Sequence, residues 1–144
     1  MKTLRYPRLL LAAVVMAIVF MVAEFLVEGI AGAALGMSAE KFLQNANLTL
    51  SGFRYHVVNI LYLYSFCFLA MWLYASQLSR YGSFMQSVVA TILFLLTLIV
   101  LAATHMVNIR LIPFAAGLTA VVFGVLELAP AIFLGASAYT GSTK

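Results

Sequence analysis

Three of the four acidic residues in this chain interrupt stretches that are otherwise almost pure hydrocarbon. Glu24 and Glu28 stand in an apolar run over residues 9–30, and Glu127 stands in another over residues 111–138. The fourth, Glu40, falls in a loop, and there is no aspartate. An ionisable group inside a membrane span costs at least roughly 2.5–3.5 kcal/mol on insertion scales, so such residues mark functional or packing positions. Glu24 and Glu28 are four apart, which stacks both carboxylates on one helix face. The two histidines, His56 and His105, stand at the ends of two further apolar runs.

Carboxylates and imidazoles from facing helices are the ingredients of a transition-metal site. The candidate ligands are Glu24, Glu28, His56 and His105. Haem held by two histidines is a second chemistry, although both histidines sit at span ends and glutamates are unusual neighbours for a porphyrin. Proton handling is a third, along a ladder of Glu127, Glu24, Glu28 and His56 bridged by water. The structural alternative is that these groups fix helix packing. Glu24 would then bond Asn59 or Tyr62, Glu28 would pair with Arg54 or Arg110, and Glu127 would bond Ser87 or Thr91. Asn59, Thr104 and Asn108 are the remaining polar groups near the cluster.

Other chemistries lack their residues. The chain has no Glu-x-x-His pair, HExxH, GxSxG, CxxC or phosphate-binding glycine loop. Its single cysteine, Cys67, lies mid-span and reads as a small buried hydrophobe.

The elements that must carry these groups follow from composition. Of 144 residues, 65% are hydrophobic and 8% charged, against about 25% charged in a soluble domain. The net charge of +4 would raise the question of nucleic acid in a soluble protein. Here the basic residues flank apolar runs, as membrane topology requires, and no nucleic-acid partner is expected. A span needs about 20 apolar residues, and four segments qualify: 9–30, 55–78, 84–107 and 111–138. The first is too long for a signal-peptide core and reads as a retained anchor behind Lys2, Arg5 and Arg8.

The sequence therefore predicts one all-α membrane domain over residues 1–144, a four-helix transmembrane bundle running up-down-up-down. Gly32 and Gly36 are expected to end the first helix. Ser38 would cap a short amphipathic helix over 39–46 lying in the interface. Residues 79–83 form a tight turn, residues 108–110 another, and Pro113 suits the first turn of helix four. Tyr6, Tyr55, Tyr74, Tyr81 and Tyr139 are placed for an aromatic belt.

Basic residues set the orientation. One side holds Lys2, Arg5, Arg8, Arg80 and Lys144, the other Lys41, Arg54 and Arg110. This bias predicts both termini in the cytoplasm of a bacterial inner membrane. Glu28, His56 and His105 then fall within about one turn, ~5 Å, of a common depth, and the cluster should face the bundle interior. Glu127 lies ~22 Å from the outer end of its helix, beside the small residues Gly117, Ala120 and Gly124, where another helix can approach closely. The reading that emerges is non-catalytic: a structural or accessory subunit embedded in lipid, docking onto other membrane subunits or onto a copy of itself through Gly117, Ala120 and Gly124. The alternative is a site-bearing protein that binds a metal, haem or protons.

Overall fold

The computed structural model describes residues 5–35 and 53–141, with the side chains of 28, 31–35, 53–56, 115 and 116 outside that description. Four helices make up the fold: α1 (Tyr6–Leu35), α2 (Phe53–Tyr81), α3 (Phe84–Asn108) and α4 (Phe114–Thr140). All four are long and apolar enough to cross a membrane, and no strand occurs among the described residues. The chain fits an integral membrane protein. The expected interfacial helix over 39–46 lies outside the described residues, as does Gly36.

The helix ends follow local chemistry. Gly82 follows α2 with φ of 67°, and its N–H donates to the Leu78 carbonyl at 3.0 Å. This left-handed cap suits a residue without Cβ. Ser83, extended at φ −111° and ψ 130°, then starts α3. A two-residue connection forces α2 and α3 to run antiparallel.

Three boundaries differ from expectation. Residues 79–81, expected in the turn, are the last residues of α2. α1 runs past Gly32 to Leu35. Ala31, Ala33 and Ala34 are strong helix formers, and a backbone in hydrocarbon gains by keeping its internal hydrogen bonds. α4 begins at Phe114, with Pro113 as its extended N-cap (φ −67°, ψ 154°) rather than inside its first turn. The preceding residues are used to close α3. Arg110 N–H donates to Val107 O at 3.0 Å and Leu111 N–H to Met106 O at 2.9 Å. That pair of bonds is a Schellman motif with Arg110 at its left-handed position, φ 58°.

Neighbouring helices pack around a ring, α1 on α2, α2 on α3, α3 on α4 and α4 back on α1, with a lighter diagonal contact of α2 with α4. Late residues of α4 meet early residues of α1, and early residues of α4 meet late residues of α3, so the up-down-up-down order holds. One end of the bundle carries Tyr6, the α2–α3 turn and Thr140; we call it the terminal end. The other carries the α3–α4 turn and is called the loop end.

The core sits in the terminal half. Its buried residues are Leu9, Ala12, Ala13, Met16 and Ala17 of α1, Cys67, Ala70, Met71, Tyr74 and Ala75 of α2, Val88 and Leu95 of α3, and Leu128, Ala131, Ile132 and Ala136 of α4. Small side chains from three helices let the backbones approach, which is how helices pack where no hydrophobic effect drives them together. Edge-to-face ring pairs fill the rest: Tyr74 on Phe84 at 6.2 Å, Tyr74 on Tyr139 at 6.0 Å and Phe84 on Phe133 at 5.6 Å. Each such pair adds about 0.5–1.5 kcal/mol beyond its burial. Tyr74 is thus no belt residue: it is completely buried, whereas Tyr6 and Tyr81 are exposed as a belt requires.

Packing thins toward the loop end. Phe20 and Phe66, with ring centroids 6.3 Å apart, join α1 to α2 near mid-span. Beyond them, Met21, Val22, Phe25, Leu26 and Ile30 of α1 are exposed, and so is every residue from Val57 to Tyr62 of α2. α3 and α4 stay together further, with Ala103 and Gly117 both buried.

Candidate functional site

The loop end carries most of the polar groups singled out from the sequence. Glu24 lies on α1 one turn past Phe20 and is exposed; His105 lies on the last turn of α3 and is also exposed. Neither belongs to the buried core. The buried core lies where the alanines are, in the terminal half, and α1 has no buried residue beyond Ala17 among the described residues. The ring order also sets α1 and α3 on a diagonal, which separates Glu24 from His105. Glu28 and His56 have their side chains outside the described residues. Among the described residues, no three His, Cys, Asp or Glu side chains come together. Asn59 is exposed on α2.

Glu127 is half-buried on α4, immediately before the fully buried Leu128. Glu24 and Glu127 are each engaged by a neighbouring group. One turn before Glu127, Gly124 rests on α3: a Cβ there would lie 3.3 Å from Ile99 Cδ1. At Gly117 a Cβ would come within 2.7 Å of Val107 Cγ2. The small-residue face therefore seats a helix of the same chain, α3, at two of its three positions. Ala120 is exposed.

Thr104 and Asn108 are brought together with α4. They line a groove of about 330 Å³ whose other walls are Val100, Ala103, Val107, Phe114, Gly117, Leu118 and Val121. Its lining is mostly apolar, and Thr104 and Asn108 are the polar side chains in it. Its lining reaches the last residue of α3, Asn108, and the first of α4, Phe114.

Neither a family model, nor a curated protein, nor a solved structure matches this chain.

A second set of polar groups is buried at the terminal end. Ser87 and Thr91 are fully buried on α3. Ser87 Oγ donates to Ser83 O at 2.6 Å and Thr91 Oγ1 to Ser87 O at 2.8 Å. The Ser83-Ser87-Thr91 spacing, one residue per turn, was the available signal for a polar seam on one face. The Tyr74 hydroxyl is enclosed beside Thr140 and makes no hydrogen bond of good geometry with a described residue. Nothing in the sequence distinguishes this tyrosine from its interfacial counterparts.

Proposed function

We propose that this chain is a non-catalytic membrane subunit whose loop half, on α1 and α2, docks against another membrane protein or a second copy of itself. One observation carries the reading. Six successive residues of α2 are exposed: Val57, Val58, Asn59, Ile60, Leu61 and Tyr62. An α-helix turns every 3.6 residues, so every face of this segment is left at least partly open. The exposed half of α1 beside it carries the same apolar character, with Phe25 at 79% and Ile30 at 69% exposure.

Lipid alone can solvate apolar side chains. Asn59 on the same surface is different, because polar groups within spans gain by meeting polar groups of other helices. With Gly117 and Gly124 turned to α3, the docking face falls on α1 and α2 instead of on the small-residue stripe. Basic residues favour an orientation with both termini in the cytoplasm and the α3–α4 turn outside, in a bacterial inner membrane.

Site-directed cross-linking tests the reading. A cysteine at Tyr62, which is 74% exposed, is compared in native membranes with one at Leu69, which is 60% exposed on the same helix nearer the terminal end. The expected result is an adduct, with itself or with one defined partner, from position 62 and not from 69. Equal labelling at both, with a monomer by light scattering in mild detergent, would exclude a docking role. Elemental analysis and an optical spectrum complete the test. About one metal per chain, or a Soret band, would support the alternative site at Glu24, Glu28, His56 and His105.

A further inference from the structure

The charges of this chain divide unevenly along the bundle. Arg5, Arg8 and Arg80 stand at the terminal end, and Lys2 and Lys144 are three residues of chain from its described residues Arg5 and Gly141. On the loop side Lys41, Arg54 and Arg110 are balanced by Glu24, Glu28 and Glu40, and Glu127 stands midway along α4. The net charge of +4 is thus the five terminal cations less Glu127.

Two of the terminal cations are exposed arginines on neighbouring helices. The Arg5 carbonyl accepts from Leu9 N–H at 3.0 Å, which fixes Arg5 to the first turn of α1. Arg80 is in the last turn of α2. Met16 of α1 and Met71 of α2 meet at Gly135; counted from there, Arg5 and Arg80 both lie ~13–17 Å toward the terminal end. Each is followed by an exposed tyrosine, Tyr6 or Tyr81, and the Arg80 guanidinium is 5.8 Å from the Tyr81 ring centre. Arg8 is part-buried and engaged by a neighbouring group, so the exposed patch is Arg5 and Arg80.

No Asp or Glu side chain reaches this patch. Glu24 is ~24 Å from Arg8 along α1, and Glu28 is a turn further. Glu127 is ~12 Å from the Gly135 level on the opposite side. Glu40 follows Leu35 by five residues, ~17 Å of fully extended chain, whereas α1 is ~45 Å long. A terminal carboxylate at residue 144 would offset only one of the five charges.

We propose that the terminal end binds anionic phospholipid headgroups, with phosphates on Arg5 and Arg80. Guanidinium and phosphate match as a two-pronged, charge-assisted pair. Both arginines end apolar spans, at the level where headgroups begin, and Tyr6 and Tyr81 are amphipathic rings suited to that level. The bilayer supplies this ligand at high local concentration, which favours lipid over an acidic protein. Topology rules concern how basic residues direct insertion; here the same charge selects the lipid shell of the folded protein, in one leaflet only. The inference depends neither on the docking role of α1 and α2 nor on which side the termini face.

The test uses the full chain in bilayer nanodiscs. The single tryptophan, Trp72, is replaced by Phe, and a reporter is placed at the terminal end as Tyr81→Trp. A second reporter, Leu101→Trp, samples the exposed loop half of α3. Quenching by acyl-brominated phosphatidylglycerol is compared with that by acyl-brominated phosphatidylcholine. One basic residue near a membrane surface is worth about fivefold in association with anionic lipid. The reporter at 81 should show at least that preference, and the one at 101 clearly less. Arg5→Gln with Arg80→Gln should remove most of it, whereas Lys at both positions should keep most of it. Salt at about 1 M, where the Debye length is about 3 Å, should weaken it. Equal quenching by both lipids at 81, the same preference at 101, or a double Gln variant that keeps the preference overturns the proposal. Binding of soluble polyglutamate through Arg80 without any lipid preference overturns it in favour of an acidic protein partner. Displacement by millimolar inorganic phosphate at constant ionic strength also overturns it, since that marks a site for the free ion. Should the reporter variant fail to fold, native mass spectrometry of the unaltered chain and of the double Gln variant counts retained phosphatidylglycerol directly. Equal retention by the two then refutes the site.

Discussion

Gly135 of α4 rests on the backbone of α1 at Ala12: a Cβ at 135 would lie 3.2 Å from the Ala12 carbonyl oxygen. The same Cβ would meet Met16 Cβ at 3.0 Å and Met71 Sδ at 2.8 Å, so α1, α2 and α4 all converge on this one missing side chain. The methionine thioether can move, but the α1 backbone cannot without separating the helices. Gly135→Val should therefore lower stability by about 1–3 kcal/mol, the scale of core overpacking. Gly29 is the control, because a Cβ there meets nothing within 4 Å. Gly29→Ala should be neutral or stabilise by up to about 1 kcal/mol through helix propensity. Thermal unfolding of both variants in the same detergent checks the contrast.

Tyr74 separates packing from hydrogen bonding. Its ring is fully buried among Phe84 and Tyr139, while its hydroxyl lacks a well-formed hydrogen bond to a described residue. Tyr74→Phe should be neutral or stabilising, since a buried unsatisfied hydroxyl costs about 1–3 kcal/mol. Tyr74→Ala should cost about 3–5 kcal/mol through the cavity it leaves. A loss of more than about 1 kcal/mol in the Phe variant would show that the hydroxyl is satisfied, with Thr140 as the first partner to examine.

Arg110 and Gly82 form a matched pair of left-handed caps, with φ of 58° and 67°. A side chain in this conformation costs about 1–2 kcal/mol. Gly82→Ala should destabilise by about 1 kcal/mol, and Arg110→Gly should stabilise by up to about 1 kcal/mol.

Glu127 tests whether an intramembrane acid serves packing or chemistry. Glu127→Gln preserves shape and most hydrogen bonds while removing the ionisable proton. If its role is packing, the Gln variant should assemble like the parent, and Glu127→Leu should weaken assembly by about 1–2 kcal/mol, the scale of an interhelical hydrogen bond in a membrane. Native gel migration and melting temperature report the difference. A Gln variant that assembles normally but loses a cellular phenotype would point to proton chemistry instead.

Several features were legible in the residues alone. Span number, type and approximate limits follow from apolar run length, because a backbone in hydrocarbon has to satisfy its hydrogen bonds within a helix. The α2–α3 turn was readable from Gly82, and the burial of Cys67 from its place mid-span. Boundaries were less secure where several residue types compete. Pro113 reads equally as a first-turn residue or as an N-cap, and the hydrogen bonds of Arg110 and Leu111 decide for the cap.

What the sequence determined by itself was class: four apolar helices, short links between the second and third and between the third and fourth, and polar groups concentrated toward one end. Apolar run length and turn chemistry are local properties, so a linear reading captures them. What only the tertiary structure decided was which faces meet. Every span is apolar nearly all round, so periodicity gives no inward direction. The direction comes from where small residues on different helices coincide, at Ala12, Ala70, Ala131 and Gly135. That coincidence draws the core to the terminal half, buries Tyr74 and turns Gly117 and Gly124 toward α3. It also leaves Glu24 and His105 exposed on diagonal helices, because residues of two helices share a site only when those helices present them to each other.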